Sequence, residues 1–199
     1  ADRERIDQHI TVFNHTDAII FENTGKTLVL MGLCDGAVVA VKRTIRPTNA
    51  EALRKALREA DALRDLQHPC IVKCRGHAMN NSFIYVALEP FVSLQPGQKA
   101  KSLTLRHFVQ RSQKREHDAL GPSGKRSILH QITRGVEFLH EERLDTDRLS
   151  GTLLHRDIKP MNVLVRRDGG GSASSGVHLW ASAVRPRPSR AASGCAFGV

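Results

Sequence analysis

Ten consecutive residues, 155–164, read HRDIKPMNVL and gather side chains that can act on a phosphate group. Asp157 offers a carboxylate, Lys159 a positive charge two residues later, and Asn162 an amide oxygen. A carboxylate can take a proton or bind a cation, and a lysine can neutralise a phosphate. These are nearly all the groups that one side of a phosphoryl-transfer site needs, so the other side must come from elsewhere in the chain.

The first half of the chain has the pattern of strands around one helix. Apolar runs on either side of CDGA, within residues 27–42, predict a hairpin. Residues 49–66 repeat leucine and alanine at helical spacing, and Thr48 followed by Glu51 predicts a capping box at the start of this helix. Two further apolar runs, CIVKCRGHAM and FIYVALEPF, are separated by NNS and predict a second hairpin.

After Glu89 the pattern becomes helical. SLTLRHFVQRSQ predicts a short amphipathic helix, and SGKRSILHQITRGVEFLHEE predicts a longer one. A strand-rich half followed by a helix-rich half predicts an α+β fold with two lobes and a cleft between them. We therefore divide the chain into a first lobe at 1–91, a partial second lobe at 92–165, and a tail at 166–199.

The tail at 166–199 carries part of the positive charge of a 199-residue chain whose net charge is +10. Its arginines are opposed by Asp168 alone and are spread among glycine, serine and proline, a composition that predicts weak order. Trp180 and Phe197 are its only aromatic residues, so it lacks a platform on which bases could stack. We expect a solvated tail rather than a surface that binds nucleic acid.

The sequence contains no segment with the length and apolar character of a membrane span. The longest apolar run, 27–41, is interrupted by Asp35 and two glycines, and no signal-peptide pattern opens the sequence. The four cysteines lack the spacing of a disulfide framework, which favours reduced thiols. We therefore expect a cytoplasmic domain with no membrane partner.

A cluster of possible zinc ligands competes with this interpretation of the cysteines. The ligands lie close together in the sequence at His68, Cys70, Cys74 and His77. Their spacing is not that of a C-x₂-C ribbon, and the same stretch is explained by a link into a strand with alternating faces. We therefore favour the structural explanation over a zinc site.

Three segments together resemble the motifs of a protein kinase. VAVK at Val39–Lys42 looks like the strand that carries the kinase lysine, READALRDLQHPCIV like the helix with its paired glutamate, and HRDIKPMNVL like the catalytic loop. The resemblance covers residues 18–165 and implies a bilobal fold whose first lobe has about five antiparallel strands and one helix. Among kinases, the chain looks most like the stress-sensor kinase/endoribonucleases and ribonuclease L.

The resemblance implies an enzyme that transfers phosphate from ATP, with Mg²⁺, to serine or threonine hydroxyls of a protein substrate. Lys42 would hold the α- and β-phosphates, and Glu59 would pair with its ammonium. Asp157 would accept the proton of the substrate hydroxyl, and Asn162 would bind Mg²⁺. Lys159 would lie near the γ-phosphate, as in serine/threonine kinases.

The same resemblance places adenine in the cleft between the lobes. Leu28 and Ala40 would cover the ring from the first lobe, and Leu164 would support it from the second. Glu89 and Phe91 would present backbone groups to its edge. These assignments depend on the resemblance, since apolar residues at such positions can equally belong to a core.

Two features depart from the kinase pattern. The three glycine positions of the phosphate loop fall near Phe21, Asn23 and Lys26, so backbone clamping of phosphate should be weak. Where a kinase has the D-F-G triplet, whose aspartate holds Mg²⁺, this chain has Ala181–Ala183. We therefore expect an incomplete kinase domain with low or no activity; the alternative is a pseudokinase that binds nucleotide or serves as a scaffold.

Overall fold

The structure is a computed structural model of the chain. It describes residues 3–14, 18–23, 27–90, 104–113, 121–141, 143–146, 149–155, 157–167, 175–179 and 185–186. The elements of the first half are β1 (Arg3–Arg5), β2 (Ile10–Phe13), β3 (Ile19–Asn23), β4 (Thr27–Cys34), β5 (Ala37–Ile45), α1 (Ala50–Asp65), β6 (Cys74–Met79) and β7 (Phe83–Leu88). The elements of the second half are α2 (Leu105–Gln113), α3 (Pro122–Glu141), β8 (Arg143–Thr146), β9 (Leu149–Leu154), a 3₁₀ turn (Pro160–Asn162), β10 (Val163–Arg167), β11 (Ser175–Leu179) and β12 (Arg185–Pro186).

Strands β1 to β7 form one antiparallel sheet in the order β1-β2-β4-β5-β7-β6, with β3 also paired to β4. Two strands share one edge of β4, because β2 pairs with residues 32–34 and β3 pairs with residues 27–30. The sheet therefore has seven strands rather than about five. The additional strands, β1 and β2, precede the region on which the resemblance rested.

Both predicted hairpins are confirmed. The turn between β4 and β5 consists of Asp35 and Gly36, whose φ angles are 49° and 78°. Aspartate tolerates this left-handed conformation and glycine adopts it without strain, which explains why Asp-Gly favours tight hairpins. Between β6 and β7, Asn80 Oδ1 accepts hydrogen bonds from the amides of Ser82 and Phe83 at 2.9 and 2.8 Å.

The predicted helix at 49–66 is α1, but its cap is not the predicted one. Asn49 Oδ1 accepts hydrogen bonds from the amides of Glu51 and Ala52 at 2.8 and 3.1 Å. Asn49 therefore occupies the N-cap position, and Thr48 lies outside the helix. No capping box forms at this terminus, because the third helical residue is Ala52 rather than a glutamate.

The second half packs around a core that also receives the end of α1. Ala62 and Leu66 from the first half contact a cluster built by α2, α3, β9, β10 and β11, in which Ile128, Leu139 and Leu153 are buried. The α+β class is confirmed, with two small sheets beside the helices of this half. No helix in the described part of the chain is long and apolar enough to cross a membrane.

The expected weak order of the tail does not hold for residues 175–179. These residues form β11, which pairs antiparallel with β10 from Val163 opposite Leu179 onward. Val177 and Leu179 have no exposed surface, so two alternating apolar side chains complete the core despite the surrounding glycines and serines. Residues 185–186 pair with β9, and the remainder of 168–199 lies outside the described residues.

A close approach at Gly135 joins α3 to the chain between α1 and β6. A Cβ atom at this position would lie 2.8 Å from Leu179 Cδ1 and 3.2 Å from Cys70 O. The Leu179 amide donates to Cys70 O at 2.7 Å, and the Val72 amide donates to Leu179 O at 3.0 Å. The end of β11 is therefore hydrogen-bonded to residues 70–72. Position 135 of α3 requires glycine because the helix passes close to this part of the chain.

Candidate active site

Lys42 lies in a row of residues that crosses the sheet. It is directly opposite Val29 on β4 and Val86 on β7, and directly opposed residues of antiparallel strands project from the same face. Lys42 and Val86 line a cavity of about 150 Å³ with Glu59 of α1, and the other lining residues are Thr44, Ala56, Ala60, Leu63, Val72, Ile84 and Leu88. The row therefore faces the helix.

Charges from three separate parts of the chain meet at Lys42. Burial lowers the pKa of Lys42 to about 8, while the carboxylates of Glu59 and Asp157 favour its charged form. Oε1 of Glu59 is itself shielded from solvent. The fold thus brings Lys42 and Asp157, which are distant in the sequence, to one cleft.

Two neighbours hold Asp157 within the 155–164 loop. Lys159 Nζ lies 2.8 Å from Asp157 Oδ2, and Asn162 Nδ2 donates to both O and Oδ2 of Asp157 at 2.8 Å. The hydrogen bond from Lys159 is the main reason why the pKa of Asp157 lies below its usual value. Asp157 is therefore ionised at neutral pH.

The backbone of the loop explains why these side chains meet. The Asp157 amide donates to the carbonyl of the buried His155 at 2.8 Å. Pro160–Asn162 then form a 3₁₀ turn in which the last amide donates to Lys159 O at 2.8 Å, and the fixed φ of proline suits the first position of such a turn. The turn folds Asn162 back onto Asp157.

Of the residues assigned to adenine that the structure describes, Ala40, Glu89 and Leu164 lie around the same cleft, and Leu28 does not. Ala40 is directly opposite Leu88 across β5 and β7, and Leu164 of β10 packs in one buried cluster with Leu88. The Glu89 amide donates to Lys73 O at 2.8 Å. The backbone group that Glu89 can offer to a ligand is therefore its carbonyl.

The exception is Leu28. The prediction that it covers the adenine ring is wrong. Leu28 is opposite Arg43 on β5 and packs against the buried cluster that contains Val41, on the face away from Lys42. Val29, directly opposite Lys42, is the residue on the cleft side. The sequence already indicated that Val29 rather than Leu28 shares a face with Lys42. Counting back from the two-residue turn between β4 and β5 gives the residues that are directly opposite each other.

Several predicted positions cannot be located because they lie outside the described residues: Lys26, Phe91, Trp180 and Ala181–Ala183. The backbones of Phe21 and Asn23 belong to β3. Since β11 ends at Leu179, Ala181 is the second residue after that strand. The alignment that puts Ala181 where kinases have the D-F-G aspartate stays a prediction.

The four possible zinc ligands do not form a metal site. Within the described residues, which include all four, no group of three or more His, Cys, Asp or Glu side chains could hold a metal ion. Cys74 Sγ donates instead to Gly76 O at 3.5 Å, and the ring of His68 stacks on Phe138 with centroids 4.7 Å apart. Cys74 and His68 therefore make contacts within the protein.

Comparison with known proteins agrees with this geometry. The sequence pattern of the protein kinase domain matches residues 23–172. The chain belongs to the protein kinase domain family. The serine/threonine-protein kinase/endoribonuclease IRE1 of Hypocrea jecorina (strain QM6a) is 31% identical over 158 residues, which cover 78% of this chain and 11% of that protein.

A second relative and one solved structure are also similar to this chain. The serine/threonine-protein kinase/endoribonuclease ire-1 of Caenorhabditis elegans is 30% identical over 140 residues, covering 70% of this chain and 12% of that protein. The crystal structure of Rad53 1–466 in complex with AMP-PNP superimposes with a TM-score of 0.54 and 25% identity, covering 82% of this chain and 38% of the Rad53 chain.

These comparisons confirm the resemblance to serine/threonine kinases and to the stress-sensor kinase/endoribonucleases. The bilobal kinase fold is likewise confirmed by the Rad53 structure. The chain spans only about a tenth of the length of the two IRE1 relatives. What those proteins do as a whole is therefore a separate question from what this kinase domain does.

Proposed function

We propose that this kinase domain binds ATP in the cleft between its sheet and the 155–164 loop, and transfers phosphate to serine or threonine hydroxyls of a protein only slowly. The observation that carries the proposal is the convergence of Lys42, Glu59 and Asp157 on that cleft. The relative crystallised with AMP-PNP has the same fold, which supports a nucleotide as the ligand.

The contacts of each side chain indicate its role in binding ATP or in transferring phosphate. Lys42, kept charged by Glu59 and Asp157, attracts the α- and β-phosphates. Asp157 is an ionised carboxylate close to the surface of the cleft and can accept the proton of a substrate hydroxyl. Lys159, bound to Asp157 at 2.8 Å, adds positive charge beside the γ-phosphate.

Adenine is recognised by shape and by backbone groups. Ala40 and Val29 cover the ring from the sheet side, and Leu164 supports it from β10. The carbonyl of Glu89 accepts a hydrogen bond from the adenine edge, because the amide of that residue is already bound to Lys73 O. The other backbone group assigned to the adenine edge belongs to Phe91, which lies outside the described residues.

Slow transfer follows from the residue at position 181. In kinases an aspartate at this position binds Mg²⁺, which neutralises the charge that develops on the phosphates. Ala181 has a methyl group instead, and the loss of one such electrostatic contribution lowers a rate by about 10²–10³-fold. The same substitution favours the second candidate function, a pseudokinase that binds nucleotide or serves as a scaffold without turnover.

We place the domain in the cytoplasm. Cys34, Cys70 and Cys74 are buried free thiols, as expected where thiols remain reduced. Cys195 lies outside the described residues. When the protein is isolated from cells without reduction and then denatured, a thiol-alkylating reagent should modify all three described cysteines.

Two measurements test the proposal on the purified chain. ATP should raise the melting temperature of the parent protein but not of Lys42→Met, because a ligand stabilises only the state that it binds. In a phosphotransfer assay with a generic serine/threonine substrate, the parent and Asp157→Asn should both remain near background. Fast turnover that Asp157→Asn abolishes would contradict slow transfer, and an absent thermal shift would contradict nucleotide binding.

A further inference from the structure

Strand β6 adds a histidine to the row of residues that contains Lys42. His77 is directly opposite Val86 on β7, and Val86 is directly opposite Lys42 on β5. Directly opposed residues of antiparallel strands project from the same face, so His77 and Lys42 both face α1. Neighbouring strands lie about 4.8 Å apart, which separates these two residues by about 10 Å across the sheet.

Helix α1 lies over this row with one carboxylate on each flank. Successive residues of an α-helix are turned by about 100°, so Glu59 and Asp61 project to nearly opposite sides and Ala60 projects between them. Ala60 is buried and lines the cavity together with Val86. The helix therefore rests on the sheet by Ala60, with Glu59 on the flank where Lys42 lies.

Asp61 approaches His77 on the other flank. Its Oδ1 lies 3.8 Å from His77 Nε2, and both side chains are mostly shielded from solvent. The other ring nitrogen, Nδ1, is buried and has no hydrogen-bond partner among the described residues. Burial raises the pKa of Cys74 on the same strand to about 11, and the carboxylate of Asp61 contributes to that rise, as expected for a group beside β6.

Two contacts on opposite flanks limit the rotation of α1 about its long axis. A rotation that lifts Glu59 away from the sheet moves Asp61 down toward the sheet, where the ring of His77 lies. A rotation in the other direction separates Asp61 from His77 and breaks an attraction that an imidazole N–H makes with a carboxylate. The orientation of the helix, and with it the position of Glu59, therefore depends on this pair.

We propose that His77 and Asp61 are positioning residues of the nucleotide site, which hold α1 at the orientation that brings Glu59 to Lys42. The inference rests on the proposed function, because ATP is the ligand that Lys42 is proposed to bind. His77 and Asp61 act through Glu59 and do not touch the nucleotide themselves.

The titration of Lys42 reports the position of Glu59 without any nucleotide. Competitive acetylation followed by mass spectrometry measures the uncharged fraction of this lysine, and the parent should show a midpoint near pH 8. Glu59→Gln should lower the midpoint by about one pH unit, because a nearby carboxylate favours the charged lysine. His77→Ala should lower it by about half a pH unit or more, since Glu59 is no longer held beside the amine.

The direction of this change separates positioning from a direct effect of charge. Removing a group that can carry positive charge makes a neighbouring lysine easier to protonate. His77→Ala would therefore raise the midpoint of Lys42 if the histidine acted on it directly. A lower midpoint requires that the substitution acts through Glu59.

Further variants test whether the effect passes through the proposed residues. Asp61→Ala should lower the midpoint about as much as His77→Ala, and the double variant should lower it no further. In the Glu59→Gln background, His77→Ala should change the midpoint by less than about 0.2 pH unit. Asp65→Ala removes the same charge as Asp61→Ala from an exposed position of α1 and should stay within about 0.2 pH unit of the parent.

Melting curves show whether each variant is folded. Asp61→Ala carries the test if His77→Ala does not fold, because alanine favours the helix in which Asp61 lies. Calorimetry at about pH 8 should show ATP binding weakened about twofold in His77→Ala, the loss of charged lysine that follows from a midpoint half a pH unit lower.

The outcomes separate the two proposals. An unchanged or raised midpoint in folded His77→Ala would overturn the positioning role and leave ATP binding standing. Equal effects of Asp61→Ala and Asp65→Ala would do the same. A parent that does not bind ATP, but whose Lys42 midpoint falls in both His77→Ala and Asp61→Ala, would overturn the proposed function and support the control of Glu59 by this pair.

Discussion

Val29 lies directly opposite Lys42 across the β4–β5 pair, so both side chains project from the face of the sheet toward α1. Leu28, its neighbour, points to the opposite face and packs with the cluster around Val41. Both side chains are shielded from solvent, Val29 almost completely. Alanine at either position should therefore lower stability, and the two substitutions should differ in their effect on ligand binding. This difference gives a direct test of the register.

Leu28→Ala should lower the free energy of unfolding by about 1–3 kcal/mol, because it removes apolar contacts within a core. It should leave the ATP dissociation constant within about twofold. Val29→Ala should weaken ATP binding by about threefold or more, since it removes a cover of the adenine ring. Denaturant titration and calorimetry measure the two quantities, and the reverse pattern would show that Leu28 faces the cleft.

ATP binding should weaken as the pH rises through about 8, the pKa of Lys42. Above this pH the lysine loses the charge that attracts phosphate. Among the residues that the structure describes, the charged groups that act on Lys42 are Glu59 and Asp157, and both oppose that loss. Lys42→Arg should abolish the pH dependence in this range, because a guanidinium stays protonated. The measurement is the dissociation constant from about pH 7 to about pH 9.5, and parallel curves for parent and variant would refute the assignment.

The same pKa predicts a change in stability. Because the pKa of Lys42 falls from 10.5 to about 8 on folding, the unfolded chain binds more protons between these values. The contribution of Lys42 to stability should therefore rise as the pH increases from about 8 to about 10.5. The raised pKa values of Tyr85 and the buried cysteines act in the opposite direction, so the parent must be compared with Lys42→Met at each pH.

Gly135→Ala should lower the free energy of unfolding by about 1–3 kcal/mol. The added Cβ would lie 2.8 Å from Leu179 Cδ1 and 3.2 Å from a backbone oxygen, a clash that exceeds the helix propensity gained with alanine, about 1 kcal/mol. His130→Ala changes an exposed residue of the same helix and should shift stability by no more than about 0.5 kcal/mol. Stabilisation by Gly135→Ala would mean that α3 is not packed this closely against β11.

Asn49→Ala should destabilise the protein by about 1 kcal/mol, because two amides at the start of α1 lose their acceptor. Thr48→Ala should cost less than about 0.5 kcal/mol, since Thr48 lies outside the helix. Chemical denaturation of both variants distinguishes the two possible caps. A larger loss of stability for Thr48→Ala than for Asn49→Ala would show that Thr48 is the N-cap, as the sequence predicted.

Local patterns in the sequence determined the elements whose causes are local. The Asp35-Gly36 turn follows from two residues that tolerate positive φ, and α1 follows from a repeat of apolar side chains within one segment. The 155–164 motif is also local, because Asp157, Lys159 and Asn162 contact one another within a single loop. Together with VAVK at Val39–Lys42 and the helix at 49–66, this motif carried the resemblance to protein kinases.

The tertiary structure decided what depends on distant partners. Leu28 and Val29 are both apolar, and only the pairing of β4 with β5 shows which of them shares a face with Lys42. Val177 and Leu179 lie among glycines and serines, so their burial becomes evident only when β10, residues 70–72 and α3 surround them. Strand pairing and burial depend on contacts between segments that are far apart in the chain. The composition of one segment does not specify which other segment it pairs with or packs against.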